Sequence, residues 1–358
     1  MKRAIQTLVG LAFGGFLVWL LVRGTDWREV GQSIRNVHVG WFIAAQLALW
    51  ATFPMRVQRW TYIVRAAGPA SFRHLFSATQ IGFLANFTLP ARLGEIVRAV
   101  VLSRLTGLKF AQSVAMVGLD RVTDLFGLMA VLTVSLVAFR PSGDVTIPAE
   151  TFGMAHPFTF PAGQYRAGAV LAGLFLVAVV AVNVMLYVNR TLVIALNNRV
   201  LGLVSRTVAA KTAGLLDHFA DGLQVFRSPR DMVKSISWSL TVWGCAVLVN
   251  FAMLEAFGIA YPWYTPFVMV TLLAIFISAP GAPGLVGQYH MPIVITLAML
   301  APGINLDHAK AFAIVAHAMN LPPIIVTAAY AMYVERLGVG DLGRLTSTVA
   351  SNPPESGR

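Results

Sequence analysis

The sequence predicts an all-α polytopic membrane protein with about six full spans and two re-entrant hairpins broken by Pro and Gly. Of the 358 residues, 57% are hydrophobic and only 12% are charged, about half the charged share of a soluble domain. The mean hydropathy is +0.71. The apolar residues lie in long runs separated by basic segments, as in helices that cross a bilayer. A soluble globular enzyme is excluded, because one or two cores cannot bury this much apolar side chain.

The first half of the chain begins with an apolar run that resembles a signal peptide. No small-residue cleavage site follows this run, so we interpret it as an uncleaved span. A short helix with mixed apolar and charged positions comes next, as expected at a membrane interface. The predicted elements are a span at 5–22, the interfacial helix at 27–39, a span at 39–55, a short apolar run at 75–89 and a span at 114–139.

The second half combines long apolar runs with one polar insertion. The insertion, residues 189–234, is basic and has apolar residues at helical spacing, which predicts a cytoplasmic amphipathic segment. The predicted spans are 167–188, 236–259 and 311–333, with two shorter runs at 266–279 and 291–301. Residues 1–340 thus form one transmembrane domain. The tail, 341–358, is rich in Ser, Pro and Gly, and we expect it to be disordered.

The basic residues predict the orientation of the chain in the membrane. With both termini in the cytoplasm, the cytoplasmic segments contain 20 of the 27 Lys and Arg residues. Such an excess is typical of cytoplasmic loops and accounts for most of the net charge of +12. These segments are 1–4, 56–74, 92–109, 189–234 and the tail together with the residues that join it to the last span, 334–358.

The orientation requires two hairpins that enter and leave the membrane on the same side. The first lies between the basic segments 56–74 and 92–109, and the second, at 266–301, enters from the opposite side. Broken helices in both halves typically mark the binding site of a transporter. The breaks share a pattern, Pro90-x-x-x-Gly94-Glu95 and Pro283-x-x-x-Gly287-Gln288, which is consistent with an inverted repeat.

The first break is followed by the densest group of candidate functional residues. Glu95 and Arg98 are three residues apart and can pair on one helix face, as can Arg121 and Asp124 on the next span. Ionisable groups within a membrane indicate function, and Arg is suited to binding phosphate. Alternatively, these residues form an ordinary ion pair or a salt bridge that locks two helices, and Arg121 can face the Glu95 loop. The predicted head-group site comprises Asn86, Arg92, Glu95, Arg98, Arg121 and Asp124, with Pro90 and Gly94 as helix breakers.

The second break predicts the opposite wall of the same cavity. Four helix breakers interrupt apolar sequence here, namely Pro280, Pro283, Gly284 and Gly287. A histidine in this setting can equally be a hydrogen-bonded packing residue. The polar residues assigned to the cavity are Ser278, Gln288, Tyr289, His290, His317 and Asn320.

The sequence contains no recognisable catalytic or cofactor-binding motif. Gly-x-Ser-x-Gly, a nucleotide-binding loop, His-Glu-x-x-His and an acidic metal motif are all absent. The single cysteine, Cys245, excludes an intrachain disulfide, and the seven histidines are widely spaced. We therefore expect no cofactor, no metal and no enzymatic activity.

The charged motifs resemble a known family of membrane proteins. The runs Asn86-x-x-Leu-Pro90-x-Arg92-x-Gly94-Glu95-x-x-Arg98, Arg121-x-x-Asp124 and Pro283-Gly284-x-x-Gly287 are similar to those of the lysylphosphatidylglycerol synthase transmembrane family. Arg56 with Arg59-Trp60 resembles that family's basic edge after the second helix. The resemblance covers about residues 5–335 and implies a helix bundle that flips aminoacylated phosphatidylglycerol. The family's soluble aminoacyl-transferase domain is absent from this sequence, so lipid aminoacylation is not expected. His290 stands where many relatives have Glu, which weakens the assignment of an aminoacyl-lipid substrate.

The leading functional hypothesis is a lipid flippase of a bacterial cytoplasmic (inner) membrane. Its expected partners are membrane lipids: an anionic or aminoacylated phospholipid, or a polyprenyl phosphate. A homodimer is an open alternative, and nucleic acid is excluded. A second hypothesis is a membrane transferase acting on a lipid-linked substrate, with Glu95 or Asp124 as acid or base. A third is a membrane partner that recruits a cytoplasmic protein through residues 189–234.

Overall fold

The structure, a computed structural model, describes residues 12, 14–65, 68–88, 93–141, 143–151, 156–203, 205–223, 228–278 and 283–338. The described chain is mainly helical. Residues 14–22 are helical and cover part of the predicted first span, whereas the predicted tail lies outside the described residues. The further helices are α1 (Trp27–Arg35), α2 (Val39–Val64), α3 (Phe72–Thr88), α4 (Gly94–Thr106), α5 (Phe110–Ala138), α6 (Ala162–Val188), α7 (Arg190–Gly202), α8 (Arg206–Leu223), α9 (Pro229–Ala256), α10 (Thr265–Ser278), α11 (His290–Leu300), α12 (Leu306–Ala318) and α13 (Leu321–Val334).

Three helices of the described chain are long and apolar enough to cross a membrane: α5, α9 and the α12–α13 pair taken together. The α1–α2 pair, which bends by 86°, makes a fourth if it is counted as one span. Asp26 begins α1, at the end away from this bend, by accepting hydrogen bonds from the backbone amides of Arg28 and Glu29, as an N-cap residue does. The fold is therefore a helical membrane protein, with fewer spans of this kind than the six predicted.

Helix α2 differs from the prediction in its length. The predicted second span ends at Met55, but α2 continues to Val64. Arg56 and Arg59 therefore lie within the helix instead of closing it at a membrane edge. The extension is possible because Arg59 is paired with acidic side chains from α5, so the helix does not have to leave the apolar region where its charges begin.

The first predicted hairpin, at 75–89, lies within the single helix α3, which packs closely against α4, a helix in the segment 92–109 that was predicted to be cytoplasmic. The approach is so close that a Cβ at Gly94 would collide with the backbone oxygen of Gly82 and the side chain of Asn86. Asn86 Oδ1 also accepts a hydrogen bond of 2.9 Å from the Gly94 amide. Gly94 is thus required for close helix packing.

A short β-hairpin lies within the predicted 140–166 loop, so the described chain is not entirely helical. Strands β1 (Val145–Ile147) and β2 (Phe158–Phe160) pair antiparallel, with Val145 opposite Phe160. Val145 and Ile147 are buried, and Val145 packs in a small apolar cluster with residues of α10 and α11. The alternation of apolar and polar residues in β1 explains the strand. A 3₁₀ turn, Ala149–Thr151, follows β1.

The second predicted hairpin consists of α10, a 3₁₀ turn (Pro283–Leu285) and α11. Gly287 has a positive φ of 83°, and a Cβ there would lie 2.6 Å from Leu17 Cβ. The 3₁₀ turn packs against α3, so the two broken segments meet inside the molecule.

The apolar core forms two main clusters, one at each end of the bundle. Along α2, Ala45 belongs to the first cluster and Val57 to the second. Fully buried Phe312 and Trp60 anchor the first and second cluster respectively, and burial of such side chains stabilises the fold by about 2–3 kcal/mol each. The α2 residues between the clusters are left to line a polar layer, where the candidate site lies.

Candidate functional site

A buried network of charged side chains joins α2, α4 and α5. Arg59 Nη2 lies 2.8 Å from Asp120 Oδ1, and Arg59 Nη1 also pairs with Asp124 Oδ1. Arg98 Nη1 donates a hydrogen bond of 2.7 Å to Asp120 Oδ2. Asp120 therefore accepts from arginines of two different helices. The side chains of Arg59, Arg98 and Asp120 are at most 5% exposed, so each charge depends on the others for compensation.

Aromatic side chains complete the surroundings of this network. The Arg98 guanidinium lies 3.6 Å from the centroid of the Trp60 ring, within the range of a cation–π contact. Trp60 Nε1 donates to the Met116 carbonyl at 3.2 Å. On the other side, Trp243 Nε1 of α9 donates to Asp124 Oδ1 at 2.9 Å. These contacts fix Arg98 and Asp124 in the protein interior.

A second, more exposed ion pair covers the buried network. Arg121 Nη2 lies 2.8 Å from Glu95 Oε1, and its Nη1 lies 3.5 Å from Asp124 Oδ2. The Arg121 and Glu95 side chains are 41% and 38% exposed. This pair is therefore accessible and can exchange partners with a ligand more readily than the buried pairs.

A cavity of about 490 Å³ lies beside this ion pair and is lined by both halves of the chain. Its volume is within the range of small-molecule sites. One end is polar, and its wall away from the charged residues is apolar. The polar lining comprises Thr52, Arg56, Glu95, Arg121, Asp124, Trp243, Asn250, Ser278, Tyr289 and Asn320, and the apolar lining includes Leu49, Leu125, Leu128, Val249, Val270, Leu273 and Ile277.

Arg56 gives this cavity an excess of positive charge. Within the described part of the chain, the polar end of the cavity and the buried network behind it contain four arginines and three carboxylates. These are Arg56, Arg59, Arg98 and Arg121, and Glu95, Asp120 and Asp124. Arg59, Arg98 and Arg121 each have a carboxylate partner. Arg56 is half-buried, and among the described residues no salt bridge or side-chain hydrogen bond involves it. The arrangement can therefore accept one anionic group.

The lining from the second half includes both apolar and polar side chains but no acidic group among its described residues. Asn320 Nδ2 donates to the Tyr289 hydroxyl at 3.2 Å, and the Tyr289 ring stacks on His317 at 5.0 Å. His317 Nε2 lies 2.8 Å from the Gly284 carbonyl oxygen and thereby ties α12 to the helix break. Phe87, at the end of the first hairpin helix, contacts the other side of this cluster, with its ring 5.9 Å from that of His317.

Not all predicted site residues reach the cavity. Glu95, Arg121, Asp124, Ser278, Tyr289 and Asn320 line it. Arg98 lies behind it in the buried network. Asn86 holds the Gly94 amide, Gln288 Nε2 donates to the Phe276 carbonyl at 3.0 Å, and His290 Nδ1 accepts from the Gly287 amide at 3.1 Å. Arg92, Pro90 and Pro280 lie outside the described residues.

The predicted pairing of Glu95 with Arg98 is wrong. Glu95 pairs with Arg121, whereas Arg98 pairs with Asp120, because α4 packs against α5, where each side chain meets a partner of opposite charge. The expectation that Arg121 faces the Glu95 loop is confirmed. Sequence reasoning missed Arg56 and Arg59 as site residues. The available signal was their spacing, since Arg56 and Arg59 are three apart in an uninterrupted helical pattern.

Within the described residues, no group of three or more His, Cys, Asp and Glu side chains is placed to hold a metal ion. Fold and site together define a polytopic helical membrane protein with a cationic cavity inside its bundle. The chain belongs to the family described as the lysylphosphatidylglycerol synthase TM region, which it matches over residues 7–328.

A curated relative shares this transmembrane region. The chain is 26% identical over 342 residues to the glycosyltransferase AglD of Haloferax volcanii, an alignment covering 90% of the chain and 53% of the relative. The chain thus spans about half the length of the relative that it matches.

The name of this relative contradicts the expectation that the protein is not an enzyme. That expectation rested on the absence of short catalytic motifs. Those motifs describe other protein classes, and their absence says nothing of chemistry performed by charged side chains within a membrane domain.

Proposed function

We propose that the cavity binds the head group of a phosphate-bearing lipid and carries it between the two leaflets of the membrane. The observation that carries this proposal is the excess of one arginine over the carboxylates at the polar end, where no salt bridge among the described residues involves Arg56, beside an accessible Arg121–Glu95 pair. A lipid phosphodiester has one negative charge and would balance that excess. Arginine binds phosphate oxygens through directed hydrogen bonds, which supports phosphate as the bound group.

The remainder of the lipid would lie along the apolar wall. Leu49, Leu125 and Leu128 line the cavity on the first-half side, and Val249 and Leu273 line it on the second-half side. Leu125 is 40% exposed and lies where the cavity wall reaches the outer surface of the bundle. Tails can therefore remain in the bilayer while the head group occupies the polar end, at little cost in desolvation.

Arg121 is the residue that we assign to exchange between states. In the structure it pairs with Glu95. A bound phosphate would compete for its guanidinium and free Glu95, whereas the deeper Arg59–Asp120–Arg98 network would stay intact and keep α4 joined to α5. This division gives one part of the site rigidity and the other part freedom to move.

The arrangement of the chain in the membrane forms part of the proposal. We infer six spans with two broken hairpins in inverted orientation, in a bacterial cytoplasmic membrane and with both termini inside. The contact between the second break and α3 supports a common site at the two breaks, as in transporters with paired broken helices.

A second candidate function is transfer of a glycosyl group from a lipid-linked donor, favoured by the name of the Haloferax volcanii relative. Glu95 is the carboxylate best placed to act as a base. It is 38% exposed and lines the cavity, whereas Asp124 is held by Arg59 and Trp243. The same phosphate site would then hold the lipid-phosphate end of the donor.

The test uses the purified protein in proteoliposomes that contain a fluorescent phospholipid or polyprenyl phosphate. We expect Arg56→Gln to reduce translocation at least about tenfold, since a desolvated charge-assisted contact contributes about 1.5–3 kcal/mol. Arg104→Gln, which removes an exposed arginine from α4, is the matched control and should leave the rate unchanged.

The two candidate functions give different products. Redistribution of chemically unchanged lipid supports transport. A new glycosylated product on mass spectrometry, formed when a lipid-linked glycosyl donor and an acceptor are also supplied, supports transfer. Wild-type rates of both processes in Arg56→Gln would reject the phosphate site.

A further inference from the structure

The helical hairpin α7–α8 follows the long apolar helix α6 and lies outside the cavity. Asn197 holds its two helices together. Its side-chain oxygen accepts from Thr212 Oγ1 at 2.8 Å, and its amide nitrogen donates to the Ala209 carbonyl at 2.9 Å. Val193 is buried on the same side of α7. The face of α7 that packs against protein therefore includes a polar side chain.

The outward face of α7 is apolar instead. Four residues with spacings of four, four and three positions form a stripe along one side of the helix. Their exposed fractions are 45% for Leu192, 45% for Leu196, 59% for Val200 and 87% for Leu203. A helix in water buries its apolar stripe and exposes its polar residues. Helix α7 exposes its apolar stripe as well as the polar residues Asn198 and Arg199, so the stripe needs an apolar neighbour that the described chain does not supply.

Basic residues surround this stripe. Arg199, Arg206 and Lys211 are exposed, and none of them has an acidic partner within 4.0 Å among the side chains that the structure describes. Arg199 lies one position before Val200, at the edge of the stripe. This combination of exposed Leu and Val with flanking cations complements a bilayer surface that contains anionic lipid.

The position of α7 along the chain supports the same partner. Helix α6 ends at Val188, which is 75% exposed, and α7 begins two residues later at Arg190. Asn189 lies between them and caps α7 by accepting a hydrogen bond of 3.1 Å from the Leu192 amide. The stripe of α7 therefore begins directly after the end of α6.

We propose that α7 lies in the interface of an anionic leaflet, with its stripe at the acyl-chain boundary. Arg199, Arg206 and Lys211 contact lipid phosphates from the hairpin's edge. The partner is thus the bilayer itself, and this inference does not depend on what the cavity binds or transports.

The test places a spin label on the full-length chain in a Cys245→Ala background. Val200→Cys carries the label in the stripe, and Asn198→Cys, an exposed position on another face of α7, is the matched control. The vesicles contain phosphatidylcholine with or without phosphatidylglycerol. We expect the spin label at position 200 to collide more often with lipid-soluble oxygen than with a water-soluble nickel chelate. The label at position 198 should collide more often with the nickel chelate.

The charge requirement is tested in the same vesicles. In the variant Arg199→Gln/Arg206→Gln/Lys211→Gln, nickel collisions at position 200 should rise roughly twofold or more with phosphatidylglycerol present, since each cation contributes to surface attraction. An unchanged signal at position 198 shows that the hairpin is folded.

Three outcomes would overturn the proposal. Free access of nickel to position 200 in both vesicle types would place the stripe in water. A label shielded from both reagents and broadened by a label on a second copy would show that a homodimer covers it. Shielding from both reagents without such broadening would indicate a protein partner.

Discussion

Replacing Asp120 by Asn tests the view that the buried network is structural and that the ligand site lies above it. The change keeps the shape of the side chain but removes the charge shared by Arg59 and Arg98. Arg59 retains Asp124, whereas Arg98 loses the one carboxylate that contacts it among the described residues. Removing one partner of a buried pair costs about 3–5 kcal/mol because the other charge stays buried and uncompensated.

The surface pair Arg190–Asp217 provides the control. Its atoms are 3.7 Å apart and its side chains are 41% and 45% exposed, and such pairs contribute about 0–1 kcal/mol. We therefore expect Asp120→Asn, but not Asp217→Asn, to lower the unfolding midpoint of the detergent-solubilised protein strongly.

A double variant separates charge imbalance from simple loss of contacts. Asp120→Asn/Arg98→Met removes one positive and one negative charge together, so it should be more stable than Asp120→Asn alone, and its stability loss should be smaller than the sum of the losses in the two single variants. It should also retain lipid translocation, because neither side chain lines the cavity. Equal stability losses for Asp120→Asn and Asp217→Asn would refute the reasoning. Loss of translocation in a stable double variant would show that Arg98 takes part in ligand binding.

Three further predictions follow from individual contacts. Gly94→Ala should lower the thermal unfolding midpoint, because its Cβ meets the Gly82 oxygen, whereas Gly118→Ala, at an open helical position, should not. Glu95→Gln should tighten the binding of an anionic lipid about two- to fivefold, because it frees Arg121, and it should slow translocation. Weaker binding of the variant in a lipid-binding titration would contradict the proposed exchange of Arg121 between Glu95 and the lipid. The pKa of Glu335 should govern how the end of α13 docks on α3: burial raises this pKa, but hydrogen bonds from Arg73 and Ser77 outweigh burial and lower it. Wild type should therefore be more stable than Glu335→Gln above about pH 4.3, the ordinary pKa of glutamate. This difference should disappear as the pH falls through the lowered pKa of Glu335. Equal differences in the thermal unfolding midpoint at pH 3 and pH 7 would refute the prediction.

The chain's local patterns were sufficient to predict much of the helical layout. Continuous apolar runs predicted α5, α6 and α9, because a helix in lipid must satisfy its backbone internally and expose apolar side chains. Pro and Gly within such runs predicted the break between α10 and α11, where Gly284 and Gly287 adopt positive φ. The i, i+3 spacing of Arg121 and Asp124 also predicted a real, though weak, contact.

The predicted site was only partly right, for reasons of long-range geometry. Glu95 and Arg98 share a spacing that permits pairing, yet each has a stronger partner on α5. Helix α2 and the β-hairpin were misjudged for a similar reason. The charges of Arg56 and Arg59 were interpreted as a membrane edge, and the alternating residues of β1 were interpreted as part of a loop. In both cases the residues that bury them lie far away in the sequence.

What the sequence by itself determined is therefore the class of protein, its helix breaks and the presence of a few ions within apolar surroundings. Those features depend on hydropathy and backbone chemistry, which are local. Only the tertiary structure decided that Arg59 joins Asp120, 61 positions away, that Arg98 faces Trp60, and that Arg56 is left beside the cavity. The free energy of a buried charge depends on which opposite charges surround it, and helix packing, not spacing along the chain, selects those neighbours.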